Sequence, residues 1–236
     1  MFINGFDILW DEIDDYVANI KSIRSIDQFM FNKPVTFFCG ENGSGKSTLL
    51  EALAIKNGLN PEGGTRNYDF STYDSYSSLH KHMRLWRNRK PDWMYFLRAE
   101  SFYNVATKEM EYSGVFSERY HDQSHGQSFF SVLMKQTNKN GLYLLDEPEA
   151  ALSCQNQLAL LYLIQSCVKQ NCQFIIATHS PILLGFPDAQ ILSFDEDKVE
   201  EVDYKSTSSY QTMKLFLDRY DYFVKDIQEN NEGGIL

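Results

Sequence analysis

The sequence predicts an α/β protein in which a mostly parallel sheet is flanked by helices, with a small antiparallel part near the N-terminus. Three short apolar runs, at 34–39, 141–145 and 173–177, indicate buried strands. Stretches with the apolar spacing of helices, at 47–55 and 158–169, alternate with these runs. Each predicted strand is followed by residues that can bind charged groups, and these residues direct the functional interpretation.

The first strand leads into Gly40–Thr48, which matches the phosphate-loop pattern G-x-x-x-x-G-K-[ST] at every fixed position. The glycines allow successive backbone N–H groups to face phosphate oxygens, and the N-terminus of the next helix adds partial positive charge. We expect Lys46 to reach the β- and γ-phosphates and to act in catalysis, and Ser47 to bind Mg²⁺. A glycine-rich turn with a chance lysine is the alternative, but the flanking strand and helix argue against it. The predicted nucleotide-binding residues of the loop are Glu41, Asn42, Gly43, Ser44, Gly45, Lys46, Ser47 and Thr48.

The composition indicates a globular protein. Of the 236 residues, 43% are hydrophobic and 14% aromatic, which suffices for a core and argues against disorder. The net charge of −10 argues against general attraction to nucleic acid or anionic membranes. The apolar runs are shorter than the ~20 residues of a membrane span, and the N-terminus lacks signal-peptide features. We therefore expect a cytoplasmic protein without membrane insertion.

The four cysteines show no C-x-x-C spacing, so reduced thiols are expected. Half of a metal site at Cys167 and Cys172 is the alternative. The chain shows no internal repeat and no clear domain boundary, which predicts a single domain over residues 1–236.

Residues 80–90 contain five Lys or Arg and no acidic residue. Leu79, Met83 and Trp86 have the spacing i, i+4 and i+7, which predicts a helix with one packed face. The basic residues are either a surface for DNA or for an acidic protein partner, or an ordinary solvated face. The acidity of the whole chain favours the solvated face.

A further strand is predicted at 93–97, and the polar residues from Arg98 to Ser101 are expected to line a ligand crevice at its carboxyl end. Farther along the chain, Gln123–Ser128 leads into a predicted helix at 129–134.

The strand at 141–145 ends in two adjacent carboxylates, Asp146 and Glu147. Carboxylates at the end of a buried strand require a cation, hydrogen bonds or water. Because the chain also has a phosphate loop, we expect Asp146 to help hold Mg²⁺ and Glu147 to orient or deprotonate the attacking water. As an alternative, Asp146 would cap the next helix.

His179 follows the strand at 173–177. A lone histidine is most often structural, but this one comes at the carboxyl end of a strand in a chain with two other nucleotide-site strands. We therefore expect His179 to contact the γ-phosphate or the attacking water. Near the C-terminus, 191–194 and 199–204 predict a hairpin, and 210–227 carries a helical apolar stripe that is expected to pack on the core.

Together these stretches resemble the ATP-binding-cassette class of P-loop ATPases. Gly40–Thr48 resembles its Walker A motif, Leu142–Asp146 with Glu147 its Walker B motif and catalytic glutamate, and Glu149–Ser153 its D-loop. His179 resembles the switch histidine. The stretch Ser124–Ser128 is similar to the signature motif, although His125 replaces the first glycine of L-S-G-G-Q, and Glu100 occupies roughly the Q-loop place as a carboxylate.

A narrower resemblance, carried by 60–64, 96–102, 124–126, 143–153 and 177–181, is to small stand-alone bacterial ATPases of the AAA family, related to the SMC and RecF-like ATPases. It implies an ABC-ATPase-like P-loop NTPase fold, in which 57–134 is an insertion of helices and loops that bears the signature-like motif.

The resemblance also implies a mechanism that uses ATP and Mg²⁺. Two subunits bury two ATP molecules in an ATP-dependent homodimer, and Ser124 and Gly126 of one subunit close over the γ-phosphate bound to the other. Glu147, His179 and Lys46 act in catalysis, while Ser47, Asp146 and Glu100 form the metal site.

Three functions are consistent with these observations. The first is a soluble ATPase that acts as a dimeric switch in DNA maintenance or phage defence. The second is the ATP-binding subunit of a membrane transporter, against which the short segment between Glu100 and Ser124 argues. The third is a nucleotide-gated module with slow turnover in a larger complex.

Overall fold

The computed structural model describes residues 1–65, 76–99, 133–134, 137 and 140–229. These residues form a six-stranded sheet and a three-stranded antiparallel sheet, and helices pack on both faces of the larger sheet. The predicted fold class, a mostly parallel sheet flanked by helices with a small antiparallel part, is therefore confirmed. The predicted helix at 129–134 lies largely outside the described residues, and the predicted insertion at 57–134 lies partly outside them.

The secondary-structure elements have the following bounds. The strands are β1 (Ile3–Ile8), β2 (Gln28–Met30), β3 (Val35–Cys39), β4 (Met83–Arg87), β5 (Trp93–Arg98), β6 (Gly141–Asp146), β7 (Gln173–Ala177), β8 (Gln190–Ser193) and β9 (Glu200–Glu201). The helices are α1 (Lys21–Arg24), α2 (Lys46–Lys56), α3 (Leu79–His82), α4 (Cys154–Val168), α5 (Pro181–Leu184), α6 (Ser208–Asp218) and α7 (Tyr220–Glu229). Short 3-10 turns lie at Trp10–Glu12, Tyr16–Asn19, Pro148–Ala151 and Tyr204–Ser206.

The larger sheet has the strand order β5-β6-β7-β3-β8-β9. Its first five strands pair in parallel, and only β9 pairs antiparallel, with β8. Parallel strands end at the same edge of a sheet, so the residues that follow β3, β6 and β7 are brought together there. The smaller sheet has the order β2-β1-β4, and all its pairs are antiparallel.

The core forms because side chains of successive strand residues point to opposite faces of the larger sheet. In β6, Leu142 and Leu144 pack in the cluster that contains Leu50 of α2. Tyr143 and Leu145 pack in the other cluster, with residues of α4. Both faces of β6 are therefore covered, which explains why this strand is apolar throughout up to Asp146.

Two buried glutamines connect the parts of the fold. The Gln173 side chain accepts hydrogen bonds from the Phe2 and Ile3 amides (2.7 and 3.0 Å) and donates to the Ile3 carbonyl (2.9 Å). The Gln190 side chain accepts from the Asn32 amide (3.1 Å) and donates to Glu201 (2.9 Å). These side chains satisfy backbone groups that would otherwise be buried without partners, so they hold the N-terminal residues against the larger sheet.

Most of the predicted elements are confirmed, including the strands at 34–39, 93–97, 141–145 and 173–177, the phosphate-loop helix and the hairpin of β8 and β9. The helix predicted at 158–169 begins earlier, at Cys154, because the Ser153 side chain accepts a hydrogen bond from the Asn156 amide and caps the helix there.

The prediction of one helix over 80–90 is wrong. Only α3 is helical, and Met83–Arg87 forms strand β4, which pairs with β1. The Trp86 indole donates a hydrogen bond to Asp7 of β1 (2.9 Å). The spacing of apolar residues favoured a helix, but β1 offers an unpaired edge, and backbone pairing with that edge determines the local structure.

The expectation that 210–227 packs on the core is also wrong. The stretch forms two helices, α6 and α7, because Arg219 leaves the helical conformation between them. None of their residues is buried, and Leu217 and Ile227 are 64% and 68% exposed. Helical periodicity therefore identified the helices correctly but did not show whether their apolar side chains are covered.

Among the described residues, no helix is both long enough and apolar enough to cross a membrane.

A pair of leucine substitutions, one in β6 and one in α6, tests which of these elements packs in the core. Leu144→Ala removes a side chain with 0% exposure, and we expect it to lower the free energy of unfolding by about 2–5 kcal/mol. Leu217→Ala removes a side chain that is 64% exposed, and we expect a change within about 0.5 kcal/mol. Urea unfolding at low protein concentration measures both values. A cost at Leu217 comparable to that at Leu144 would show that α6 packs against the core.

Candidate functional site

The phosphate loop connects β3 to α2 and packs against α1. Gly45 has φ = +99°, and a Cβ atom at this position would lie 2.8 Å from the Ile23 side chain and 2.9 Å from that of Ile20. The Ser22 hydroxyl donates a hydrogen bond to the Ser44 carbonyl. The loop therefore requires glycine at position 45 both for its backbone conformation and for its contact with α1.

Lys46 is the first residue of α2 and is buried. Its Nζ atom donates hydrogen bonds to the Gly40 and Glu41 carbonyls, each at 2.7 Å. Burial lowers the pKa of the Lys46 ammonium, and the nearby carboxylates of Glu147 and Asp146 oppose this shift. The Lys46 ammonium thus binds backbone carbonyls of its own loop. The charged oxygens of a phosphate would compensate its positive charge better than these neutral carbonyls do.

Ser47 and Asp146 form the candidate metal site. The Ser47 hydroxyl donates a hydrogen bond to Asp146 Oδ1 (2.8 Å), and the Asp146 side chain is only 8% exposed. Hydroxyl and carboxylate oxygens are ligands that Mg²⁺ accepts, and Mg²⁺ in nucleotide sites uses one or two protein groups together with phosphates. The residues therefore fit Mg²⁺ bound together with a nucleotide.

Glu147 and His179 lie beside this pair. Glu147 has φ = +49°, and its amide donates to the Ala177 carbonyl (2.9 Å), which joins the ends of β6 and β7. The His179 Nε2 atom lies 3.6 Å from Glu147 Oε1. Within the described residues, this nitrogen has no hydrogen-bond partner, although it is buried. The arrangement leaves a polar ring atom beside a carboxylate, which suits contact with a ligand oxygen or a water molecule.

Glu149 fixes the position of the His179 backbone. Its Oε1 atom accepts a hydrogen bond from the His179 amide (2.6 Å). The Ser180 hydroxyl then accepts from the amides of Ile182 and Leu183 and caps α5. These bonds connect the segment after β6 to the segment after β7.

The structure brings together five of the predicted site residues at the carboxyl edge of the three adjacent strands β6, β7 and β3: Lys46, Ser47, Asp146, Glu147 and His179. The remaining loop residues Glu41, Asn42, Gly43, Ser44, Gly45 and Thr48 lie directly beside them in the chain. The Glu41 amide already donates a hydrogen bond to Asp195 (2.8 Å). Glu100, Ser124 and Gly126 lie outside the described residues.

The sequence did not reveal three residues that support this site, Ser22, Glu51 and Asp195, nor the partners of Arg98. Arg98 and Glu51 form an ion pair with a 2.6 Å contact next to Asp146. Arg98 had a signal, because it is a polar residue at the carboxyl end of a strand, but its partner is 47 positions away in the chain. Such distant pairings leave no local pattern.

A cleft of about 500 Å³ opens next to the phosphate loop. Gly40, Glu41 and His179 line one side, and residues of α6 and α7, among them Met213 and Phe216, line the other. The C-terminal helices therefore border the candidate site.

Two family models match separate parts of the chain. A model described as an AAA domain matches residues 16–79, which include the phosphate loop. A model described as an AAA ATPase domain matches residues 125–184, which include Asp146, Glu147 and His179. Each match contains one half of the site that the fold brings together.

Two curated proteins are similar to this chain. An uncharacterized ABC transporter ATP-binding protein of Haemophilus influenzae is 27% identical over 183 residues, which cover 66% of this chain and 68% of that protein. The cytochrome c biogenesis ATP-binding export protein CcmA of Rhizobium etli is 29% identical over 171 residues, which cover 65% of this chain and 78% of that protein.

Two solved structures show a weaker likeness. The protein cbiO1 of Clostridium perfringens, part of an ABC transporter complex, has a TM-score of 0.48 at 16% identity, covering 95% of this chain and 100% of that one. The SMC head domain of Thermotoga maritima has a TM-score of 0.46 at 14% identity, covering 86% of this chain and 98% of that one.

Two glycine substitutions test the support that α1 gives to the loop. Gly43→Ala and Gly45→Ala both place a Cβ atom at positive φ, but only the one at Gly45 collides with a neighbouring side chain. We expect Gly45→Ala to lower the free energy of unfolding by at least about 1 kcal/mol more than Gly43→Ala, since overpacking adds to backbone strain. Denaturant unfolding without nucleotide measures the difference. Equal costs would contradict the proposed contact with α1.

Proposed function

We propose that this chain binds ATP together with Mg²⁺ and hydrolyses the γ-phosphate bond, a proposal that the matches to AAA and AAA ATPase domain models and to an ABC transporter ATP-binding protein support. One observation carries the proposal. Lys46, Ser47, Asp146, Glu147 and His179 come from three separate segments of the chain and meet at one edge of the sheet. A phosphate-binding cation, a metal site, a base and a contact for the γ-phosphate are the components that phosphoryl transfer to water requires.

Each residue has a role that follows from its position. The phosphate loop and Lys46 bind and orient the triphosphate, and the positive charge of Lys46 compensates charge that develops in the transition state. Ser47 and Asp146 would hold Mg²⁺, which neutralises the β- and γ-phosphate oxygens when it is bound. Glu147 orients the attacking water and accepts its proton. His179, whose Nε2 atom lies 3.6 Å from Glu147, contacts the γ-phosphate or the water.

The site is open on one side, and this supports the proposal that a second subunit completes it. The Glu147 and His179 side chains are 41% and 34% exposed, so bulk water reaches the proposed base. Electrostatic stabilisation of phosphoryl transfer is stronger where water is excluded. We therefore propose that ATP closes a homodimer over the site, with Ser124 and Gly126 of the second subunit facing the γ-phosphate and Glu100 near the metal.

The proposed ATPase activity fits more than one physiological partner. The names of the two curated relatives support the alternative role, the ATP-binding subunit of a transporter. A role in DNA maintenance or phage defence stays a prediction, and the contacts of the basic segment do not favour it. Arg87 donates to the Lys56 carbonyl, and the Arg89 guanidinium lies over the Phe2 ring, so both have structural roles.

The variant Glu147→Gln tests the assigned base. The amide cannot accept a proton, so we expect kcat for ATP hydrolysis to fall at least about 100-fold. Lys46 and Ser47 are unchanged, so ATP binding should persist, and an ATP-bound dimer should accumulate. The rate of phosphate release measures kcat, and the molar mass of the protein in solution with ATP and Mg²⁺ shows whether a dimer accumulates.

Glu196→Gln is the matched control, because Glu196 is exposed in the turn between β8 and β9 and outside the site. It should hydrolyse ATP at the parent rate. Parent-like hydrolysis by Glu147→Gln would refute the assignment of the base, and a monomeric, ATP-bound Glu147→Gln protein would refute the proposed dimer.

A further inference from the structure

Arg98 is the last residue of β5 and is paired in register with Asp146 on the neighbouring strand β6. Its side chain is only 22% exposed, although it carries a permanent charge. Its position at the carboxyl edge of the sheet places the guanidinium beside the candidate metal site. The chemistry assigned above to the phosphate loop, Glu147 and His179 gives Arg98 no role.

Among the described residues, the guanidinium contacts three separate segments. Its Nη1 atom donates a hydrogen bond to Glu51 Oε2 on α2 (2.6 Å) and another to the Pro61 carbonyl (3.2 Å). Its Nε atom lies 3.6 Å from Asp146 Oδ2. One planar group thus faces a carboxylate of the phosphate-loop helix and the carboxylate at the end of β6.

The two oxygens of Asp146 are engaged from different sides. Oδ1 accepts the hydrogen bond from Ser47, and Oδ2 faces Arg98. The contact at Oδ2 is electrostatic, since 3.6 Å is too long for a hydrogen bond, but rotation of the carboxylate would weaken both this attraction and the hydrogen bond from Ser47, so the two together favour the orientation in which Oδ1 meets Ser47. Partners that orient a metal-binding side chain in this way typically tune metal affinity.

The free-energy cost of burying the ion pair between Arg98 and Glu51 argues that Arg98 has a positioning role. Burial raises the pKa of the Glu51 carboxyl, and the charge of Arg98 and its hydrogen bond oppose the shift. Buried ion pairs contribute little net stability, because desolvation offsets their attraction. An apolar contact would join β5 to α2 equally well and without this desolvation penalty, but it would not orient Asp146.

We propose that Arg98 is a positioning residue that fixes the Asp146 carboxylate for Mg²⁺ binding with the nucleotide. The proposal rests on the proposed function, since it concerns the metal site of that same reaction. The competing explanation is structural: Arg98 neutralises the buried Glu51 and anchors the turn at Pro61. The two explanations differ in what happens when Glu51 no longer needs a counter-charge.

The double variant Arg98→Gln/Glu51→Gln separates them, because it removes both charges of the ion pair and leaves no buried charge on Glu51. The measurement is the affinity for a fluorescent ATP analogue, first with EDTA and then with excess Mg²⁺. We define the magnesium gain as the ratio of these two affinities. Thermal unfolding of each variant without nucleotide confirms that it is folded.

We expect the double variant to bind the analogue in EDTA within about twofold of the parent, because Lys46 and the loop are intact, but its magnesium gain should fall about 10-fold. Arg98→Lys retains a counter-charge for Glu51 but lacks the planar fork, so it should lose part of the gain. Arg84→Gln is the control, because this arginine is 69% exposed and lies on the small sheet beside Asp7. It should behave like the parent.

The outcomes distinguish the two levels of the proposal. A parent protein that binds no ATP analogue would overturn the proposed function itself. A parent with a magnesium gain that the double variant and Arg98→Lys both retain or exceed would overturn only the role of Arg98 and leave the structural explanation. If the double variant does not fold, Arg98→Lys alone decides in the same way.

Discussion

The hydrogen bond between Ser47 and Asp146 is the interaction on which the candidate site depends. It spans 2.8 Å but joins residues that are 99 positions apart in the chain: Asp146 ends β6 and Ser47 follows β3, and these two strands lie on either side of β7. The bond can form only if β3, β7 and β6 keep their parallel registers, since a shift of one residue would turn every side chain to the opposite face. The side chains of β6, which point alternately into the two core clusters, therefore do more than stabilise the fold, because they fix the distance between the phosphate loop and Asp146.

The two cations near this bond, Lys46 and Arg98, each lie close to carboxylates. Lys46 lies on the loop side with carboxylates nearby, and Arg98 lies on the far side of Asp146 with Glu51 as its partner. Without a nucleotide, the carboxylates and the loop carbonyls share these two cations. A bound triphosphate would add several negative charges near Lys46, while Arg98 is already engaged by α2. The two cations therefore differ in function: one is placed to meet the ligand, and the other to keep a carboxylate in position.

The sequence predicted the parts of the molecule whose determinants are local. The phosphate loop, the apolar strands and the carboxylates at the end of β6 are each encoded within about ten consecutive residues, and their type and position were predictable. Strand β4 was not, because its conformation depends on the free edge of β1, some 80 positions away, as the pair Trp86 and Asp7 shows. Arg98 was visible as a polar residue, but its role depends on Glu51 and Asp146, which only the folded chain places beside it.

The exposed apolar side chains of α6 and α7 are best understood together with the open side of the site. These helices border the same cleft as Gly40, Glu41 and His179. The Ser208 hydroxyl at the start of α6 donates to Asp195, whose other oxygen accepts from the Glu41 amide. A single carboxylate thus connects the phosphate loop to the first turn of α6. Because Asp195 holds both the Glu41 peptide and the start of α6, the C-terminal helices are positioned beside the phosphate loop, and their exposed apolar side chains border the cleft there.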